Sequence, residues 1–263
     1  MPNDEEYGYY FYDINAKINH KFSDRSRIYL SVYNGKDHFA ANYDGDTDSK
    51  DGSTMNWGNT IVSARWNYIF NNRLFSNTTV SYNNYLFDVN SYNNNKYANS
   101  MGASIINRYS ADYRSGINDW SYQIDFDYNP SPIHHIKFGT GYIYHRFRPE
   151  VMTSKISEKT GDKVDRDTTY HSIANSRIYG HELSAYLEDN IKVNDRLRLN
   201  LGLHFSLFQV QKQSYSSLQP RVSARYQLGK DVTLKASYTQ MSQYVHLLSS
   251  MPINAYGLMG SRD

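Results

Sequence analysis

The stretch Arg196 to Phe208 reads R-L-R-L-N-L-G-L-H-F-S-L-F. Leu197, Leu199, Leu201, Leu203, Phe205 and Leu207 share one parity, and Arg198, Asn200, Gly202, His204 and Ser206 share the other. Side chains of an extended strand alternate faces, so this segment has one greasy side and one wet side. A helix would scatter the same leucines around its circumference. Two environments accept such a strand. One is a soluble sheet packed on a core; the other is a barrel wall with lipid outside and water inside.

The flanking chain repeats the pattern. Tyr10, Tyr12, Ile14, Ala16, Ile18 and Phe22 alternate with Asp13, Asn15, Lys17 and Asn19. After a polar turn at Ser23–Ser26, Ile28, Leu30 and Val32 continue it. A polar loop is expected over 35–56, then a strand from Trp57 to Phe70, the turn Asn71–Arg73 and a strand from Leu74 to about Phe87. An Asn-rich loop to Met101 follows. Between Ile105 and Tyr128 the outward set changes from odd (Ile105, Tyr109, Tyr113) to even (Trp120, Tyr122, Ile124), which predicts one long strand broken by a β-bulge near Ser115–Gly116. Strands at Ile136–Tyr144, Leu183–Ile191, Leu218–Leu228 and Val232–Tyr238 complete a set of about ten. Loops are expected over 149–180 and 209–217.

Short turns and long loops thus alternate, and many strands exceed the five or six residues usual in soluble sheets. Lysine, arginine, aspartate and asparagine on the wet side are too polar for a sandwich interior. The layout is that of an antiparallel transmembrane β-barrel, with short turns on one rim and long loops on the other.

Composition agrees. The chain has 263 residues, enough for one large all-β domain, and 26 tyrosines against 11 phenylalanines. An amphipathic ring suits the boundary between hydrocarbon and water. No apolar run approaches a membrane-spanning helix, a test that barrel strands escape. The net charge of +2 gives no ground for a nucleic-acid partner. There is no cysteine, hence no disulfide and no thiolate metal site. The acidic start Met1–Glu6 is unlike a signal peptide.

Several phrases resemble the barrel of TonB-dependent receptors of the Bacteroidetes type. They are W-G-N-T-I-V-S-A-R-W-N-Y-I-F at 57–70, D-W-S-Y-Q-I-D-F-D-Y at 119–128, H-I-K-F-G at 135–139, Y-L-E-D-N-I-K-V at 186–193 and the run from Leu218 to Leu248. The likeness covers nearly the whole chain through order and spacing; no phrase is an active-site motif. It implies energised uptake of a glycan, siderophore or similar substrate across the outer membrane of a Gram-negative cell, and no enzyme. Such receptors resemble one another in an amino-terminal plug and about twenty-two strands. The resemblance therefore implies an internal barrel fragment spanning residues 1–252, without the plug, in contact with outer-membrane lipid. It would reach the TonB complex only through the missing plug. The expected form is an open curved sheet or partial barrel, not transport-competent alone. A complete ten-strand pore or adhesin is the alternative, and a ladder between Tyr9–Phe22 and Val232–Val245 would favour it.

Residues 253–263 are expected to be an irregular tail. In the family the phrase ending H-L-L is commonly followed by Pro-Thr-Asp-Leu-Trp-Val-Pro. Back-translated as GCC TAC GGA CTT ATG GGT TCC CGT GAC and read from the second base, Ala255–Asp263 gives that phrase. A frameshift just before Ala255 is the expectation.

The residues that carry chemistry elsewhere converge on no site here. Asp44, Asp46, Asp48 and Asp51 alternate as in a calcium loop, but Ser49 and Met55 stand where an EF-hand needs glycine and glutamate. His134 and His135 must point to opposite faces, and His20, His145, His181 and His204 read as isolated. No catalytic, cofactor or metal residue is assigned. His38 with Asp44, and Asp162, Asp165 and Asp167, form no recognisable constellation. Arg65, Arg198, Arg221, Arg225 and Lys235 are expected to pair with Asp125, Asp127 and Glu188 as wall-stiffening charges.

Overall fold

The computed structural model describes residues 4–45, 49–171 and 177–245, with backbone alone at 4, 45 and 149–152. All regular structure among the described residues is β. The strands are β1 (Asp4–Ser23), β2 (Ser26–Gly45), β3 (Ser49–Asn71), β4 (Leu74–Ala98), β5 (Ser104–Tyr128), β6 (His134–Thr160), β7 (Lys163–His171), β8 (Ile178–Lys192), β9 (Leu197–Val210), β10 (Gln213–Gln227) and β11 (Thr233–Thr239). They form one antiparallel sheet in chain order, with β7 off the main path as a partner of β6. The sheet is open. Its ends are β1 and β11, and no ladder joins them among the described residues. The expected tail at 253–263 lies outside the described residues.

Register carries the parity of the sequence across the whole sheet, because directly paired residues share a face. Ile18 pairs with Leu30, Leu30 with Ala64, Ala64 with Val80 and Val80 with Tyr122. The row continues through Tyr142, Leu183 and Leu207. Among the described residues no strand packs over these side chains: strands touch only their ladder neighbours. Leu201, Leu203 and Phe205 are 45, 47 and 40% exposed and Leu187 58%. A soluble protein would bury such a surface; a lipid-facing wall leaves it bare. Aromatic rings edge the apolar band. At the short-turn end Tyr68 meets Trp66 at a tilt and Phe70 edge to face (centroids 5.5 and 4.9 Å), and Tyr82 with Trp120 and Tyr144 with Tyr179 lie further up (4.9 and 6.0 Å).

Three expectations need correction. The segments read as long loops are mostly strand: β2 and β3 run on to Gly45 and from Ser49, β4 to Ala98, and β6 with β7 fills most of 149–171. Beyond the lipid both faces meet water, so the amphipathic signal lapses although the backbone ladder continues. The loop at 209–217 shrinks to Gln211–Lys212, with Gln211 at φ 53°. Finally, β5 is one strand, but it keeps its parity: it pairs with β4 without a shift from Leu74–Tyr128 to Ala98–Ser104. The irregularity lies against β6, where Arg114 pairs with Val151 and Gly116 with Arg148. Two β6 residues there oppose one of β5. Tyr109 and Tyr113 therefore stay on the wet face.

Candidate functional site on the wet face

The second face of the sheet has two regions. Towards the short turns it is ionic and hydroxylic. Ser31, Ser63, Ser81 and Ser121 stand in one paired row, and Ser81 Oγ meets Ser121 Oγ at 2.5 Å. Asp125 accepts from Tyr186 OH (2.8 Å) and from Gln123 Nε2 (2.9 Å), while Glu188 accepts from Asn200 Nδ2 (2.7 Å). His135 Nε2 lies 2.8 Å from Asp127. The expected cations are not their partners. Among the described residues no ion pair links Arg65, Arg198, Arg221, Arg225 or Lys235 to Asp125, Asp127 or Glu188. Gly202 explains one separation, since it sits between Glu188 and Arg221 in the row. The hydroxyl and amide donors of Tyr186, Gln123 and Asn200 satisfy Asp125 and Glu188 instead, at lower desolvation cost than buried ion pairs.

His145 is not isolated. Only 6% exposed, it lies 2.8 Å from Asp119 through Nδ1 and 3.6 Å from Glu182 through Nε2. It packs on Phe147 (5.5 Å) and edge-on to Phe208 (5.9 Å). Tyr244, beyond β11, closes this cluster: its ring stacks on Phe208 at 5.3 Å and its hydroxyl meets Ser206 Oγ at 2.7 Å. Gln219 Nε2 donates to the same Ser206 at 2.9 Å. No sequence signal joined these residues, because they come from five separate strands and a following segment.

The outer halves of β1–β5 make the second region. Phe11, Asp37, Trp57 and Phe87 are paired in one row, with Tyr9, Phe39, Met55, Val89 and Tyr113 in the next. Tyr9 is 56% and Phe11 62% exposed. Tyr9 lies 5.9 Å from Phe11 and 6.4 Å from Trp57, and its hydroxyl donates to Asp37 at 2.5 Å. Tyr33 OH donates to Asp13 at 2.6 Å.

The remaining candidates separate. His134 Nδ1 meets Asp189 at 2.6 Å on the lipid face, opposite to His135, as their adjacency requires. His181 meets Tyr142 OH at 2.7 Å, His20 packs edge-on to Phe22, and His204 has Arg221 nearby. His38 bonds Asn56 (2.7 Å), which donates to Asp88 (2.9 Å). Asp44 faces Lys50 across the hairpin (3.3 Å), whereas Asp51 is on the other side and accepts from Asn93 at 2.5 Å. Asp46 and Asp48 lie outside the described residues. Asp165 accepts from Thr160 (2.5 Å), and Asp167 lies 3.4 Å from Lys155. No group of three metal-type ligands occurs among the described residues.

No curated protein matches in sequence. Among solved structures, the chain is similar to Pseudomonas aeruginosa FpvA bound to heterologous pyoverdines (11% identity, TM-score 0.47), covering 89% of this chain and 41% of that one. It is similar to the ferric-catecholate import receptor Fiu of Escherichia coli K12 (8%, 0.46; 90% and 49%). BauA, the ferric preacinetobactin receptor of Acinetobacter baumannii, is a third (8%, 0.45; 89% and 46%). The chain spans less than half the length of each of these. The family model for the TonB dependent receptor-like β-barrel matches residues 2–245, and the chain belongs to that family.

Proposed function

We propose that this chain forms part of the wall of a TonB-dependent receptor in the outer membrane of a Gram-negative cell. The family is one of receptors and transporters. In this reading the wall spans the bilayer with β1–β6 and β8–β11, and the whole receptor takes up a glycan, siderophore or similar substrate. The plug and the remaining strands would come from sequence outside this stretch, and TonB would act on the plug. The fragment alone would leave the backbone of β1 and β11 unpaired in lipid, which is unfavourable.

The observation that carries the reading is the exposed apolar face, over which no second layer packs among the described residues. This stretch holds no cysteine of its own, so a single introduced cysteine reports its own position once any cysteine elsewhere in the receptor is replaced by serine. Single variants Leu203→Cys and Asn200→Cys are placed in the full receptor and expressed in its own host. A membrane-impermeant maleimide should label residue 200 after the outer membrane is opened and spare residue 203, which a lipid-phase probe should label. Equal aqueous labelling of both would overturn the membrane wall. Uptake of the receptor's substrate should also cease when TonB is deleted.

A further inference from the structure

We infer that the outer halves of β1–β5 carry a binding platform for a neutral, polyhydroxylated chain, an oligosaccharide. The inference rests on the receptor reading above and names a substrate class for it. It begins from a departure from pattern. A water-facing barrel surface should be polar, as it is near the short turns, yet here it presents Tyr9, Phe11, Trp57, Phe87 and Tyr113 together. Contiguous apolar area left in water marks a binding surface. Five paired strands make a platform about 19 Å across, wide enough for more than one sugar ring.

Charge narrows the ligand. On this face the charged residues of the outer halves are Glu5, Asp13, Asp37 and Asp51, and no lysine or arginine stands among the described positions of those halves; Lys17, Lys21, Arg27 and Arg65 share the face only further down, towards the short turns. Lys36, Lys50, Lys96, Arg108 and Arg114 all stand on the opposite face. Asp13 and Asp37 accept from the phenols of Tyr33 and Tyr9. Such a surface repels anionic complexes and phosphates. Ring geometry then separates a sugar from a cation. The Tyr9 ring is inclined 35° to Phe11 and 30° to Trp57, too flat against each for the walls of a cage around an ammonium group, while Phe87 and Tyr113 beside them meet edge to face at 74°. The rings about Tyr9 offer a flat apolar bed to the C–H face of a pyranose. Asp37, Asn59 and Ser91, at paired positions among the rings or in the adjoining rows, offer acceptors and donors to its hydroxyl edge.

The test uses the full receptor, purified in detergent and titrated against linear neutral oligosaccharides of glucose, mannose and xylose, with spermidine and a ferric catecholate as separate arms. At least one neutral oligosaccharide should bind, with Trp57→Ala weakening it about tenfold or more. Trp57→Phe should retain most of the affinity, and Asp37→Asn should weaken a sugar less than Trp57→Ala does. Heat-modifiable mobility on gels confirms that each variant is folded. Saccharide binding indifferent to Trp57, no saccharide binding, or Trp57-dependent binding of only spermidine or the catecholate would each overturn the platform. A receptor that passes the residue 200 and 203 labelling test yet fails this one loses only the sugar assignment.

Discussion

Leu203 and Asn200 are three residues apart on β9 and meet different solvents. Leu203 is 47% exposed with Leu187 and Pro220 beside it in the ladder, whereas Asn200 donates to Glu188 and Asn190 at 2.7 and 2.6 Å. The difference shows that this sheet has no interior in the usual sense. One face is completed by hydrocarbon, the other by water and hydrogen bonds, and a substitution is judged by the face that receives it. Leu203→Arg in the full receptor should cost about 2–4 kcal/mol in refolding into lipid vesicles, since the residue lies near mid-strand. Asn200→Arg, which gives Glu188 another donor, should change stability by less than about 0.5 kcal/mol. Equal costs would erase the distinction between faces.

Within the wet face the comparison sharpens at Tyr244. Tyr244→Ala removes the ring stacked on Phe208 and the hydroxyl at Ser206. One aromatic pair and one hydrogen bond together should cost about 2 kcal/mol. Tyr186→Phe is the milder case. Asp125 loses the phenol at 2.8 Å but keeps Gln123, so the loss should be about 1 kcal/mol. A larger loss for Tyr186 than for Tyr244 would place the rigidity of this face in its charged half. Gln211→Gly should act in the opposite direction, by under about 1 kcal/mol, because the hairpin holds residue 211 at φ 53°, a conformation that costs a side chain but not glycine.

What was legible in the sequence follows the same division. Lipid enforces strict alternation, so the parity of Ile14–Phe22, Val62–Trp66 and Leu197–Leu207 identified strands, faces and order directly. The outer extensions have water on both sides and no such constraint, so 35–45 and 88–98 resembled loops although they are paired backbone. The aromatic rows were hidden for a related reason. Phe11, Trp57 and Phe87 stand far apart in the chain and meet only through register, which composition does not reveal. His145 was misjudged likewise: its partners Asp119 and Glu182 belong to the two strands flanking its own. Charge alone pairs the carboxylates with arginines, whereas ladder geometry delivers tyrosine, glutamine and asparagine to Asp125 and Glu188 first.

The smallest expected effect tests whether the outer half is as dry as its rings suggest. Asp51 lies on the wet face of β3, beyond the apolar band, beside Asn93. Burial holds its carboxyl above the usual carboxylate range, against the opposing pull of the Asn93 amide. A carboxyl raised on folding favours the folded state at low pH, where it is protonated in both states' accessible range, and that contribution is lost as pH rises from the ordinary value through the raised one. At neutral pH the ionised group therefore works against folding. Asp51→Asn keeps an acceptor for Asn93 and removes the charge, so it should give a slight gain in refolding stability at neutral pH. The gain should vanish below the carboxylate range, where wild type carries a proton too. A variant that loses stability at neutral pH would show Asp51 to be paid back by a favourable charge contact, and the outer half to be wetter than its aromatic rows imply.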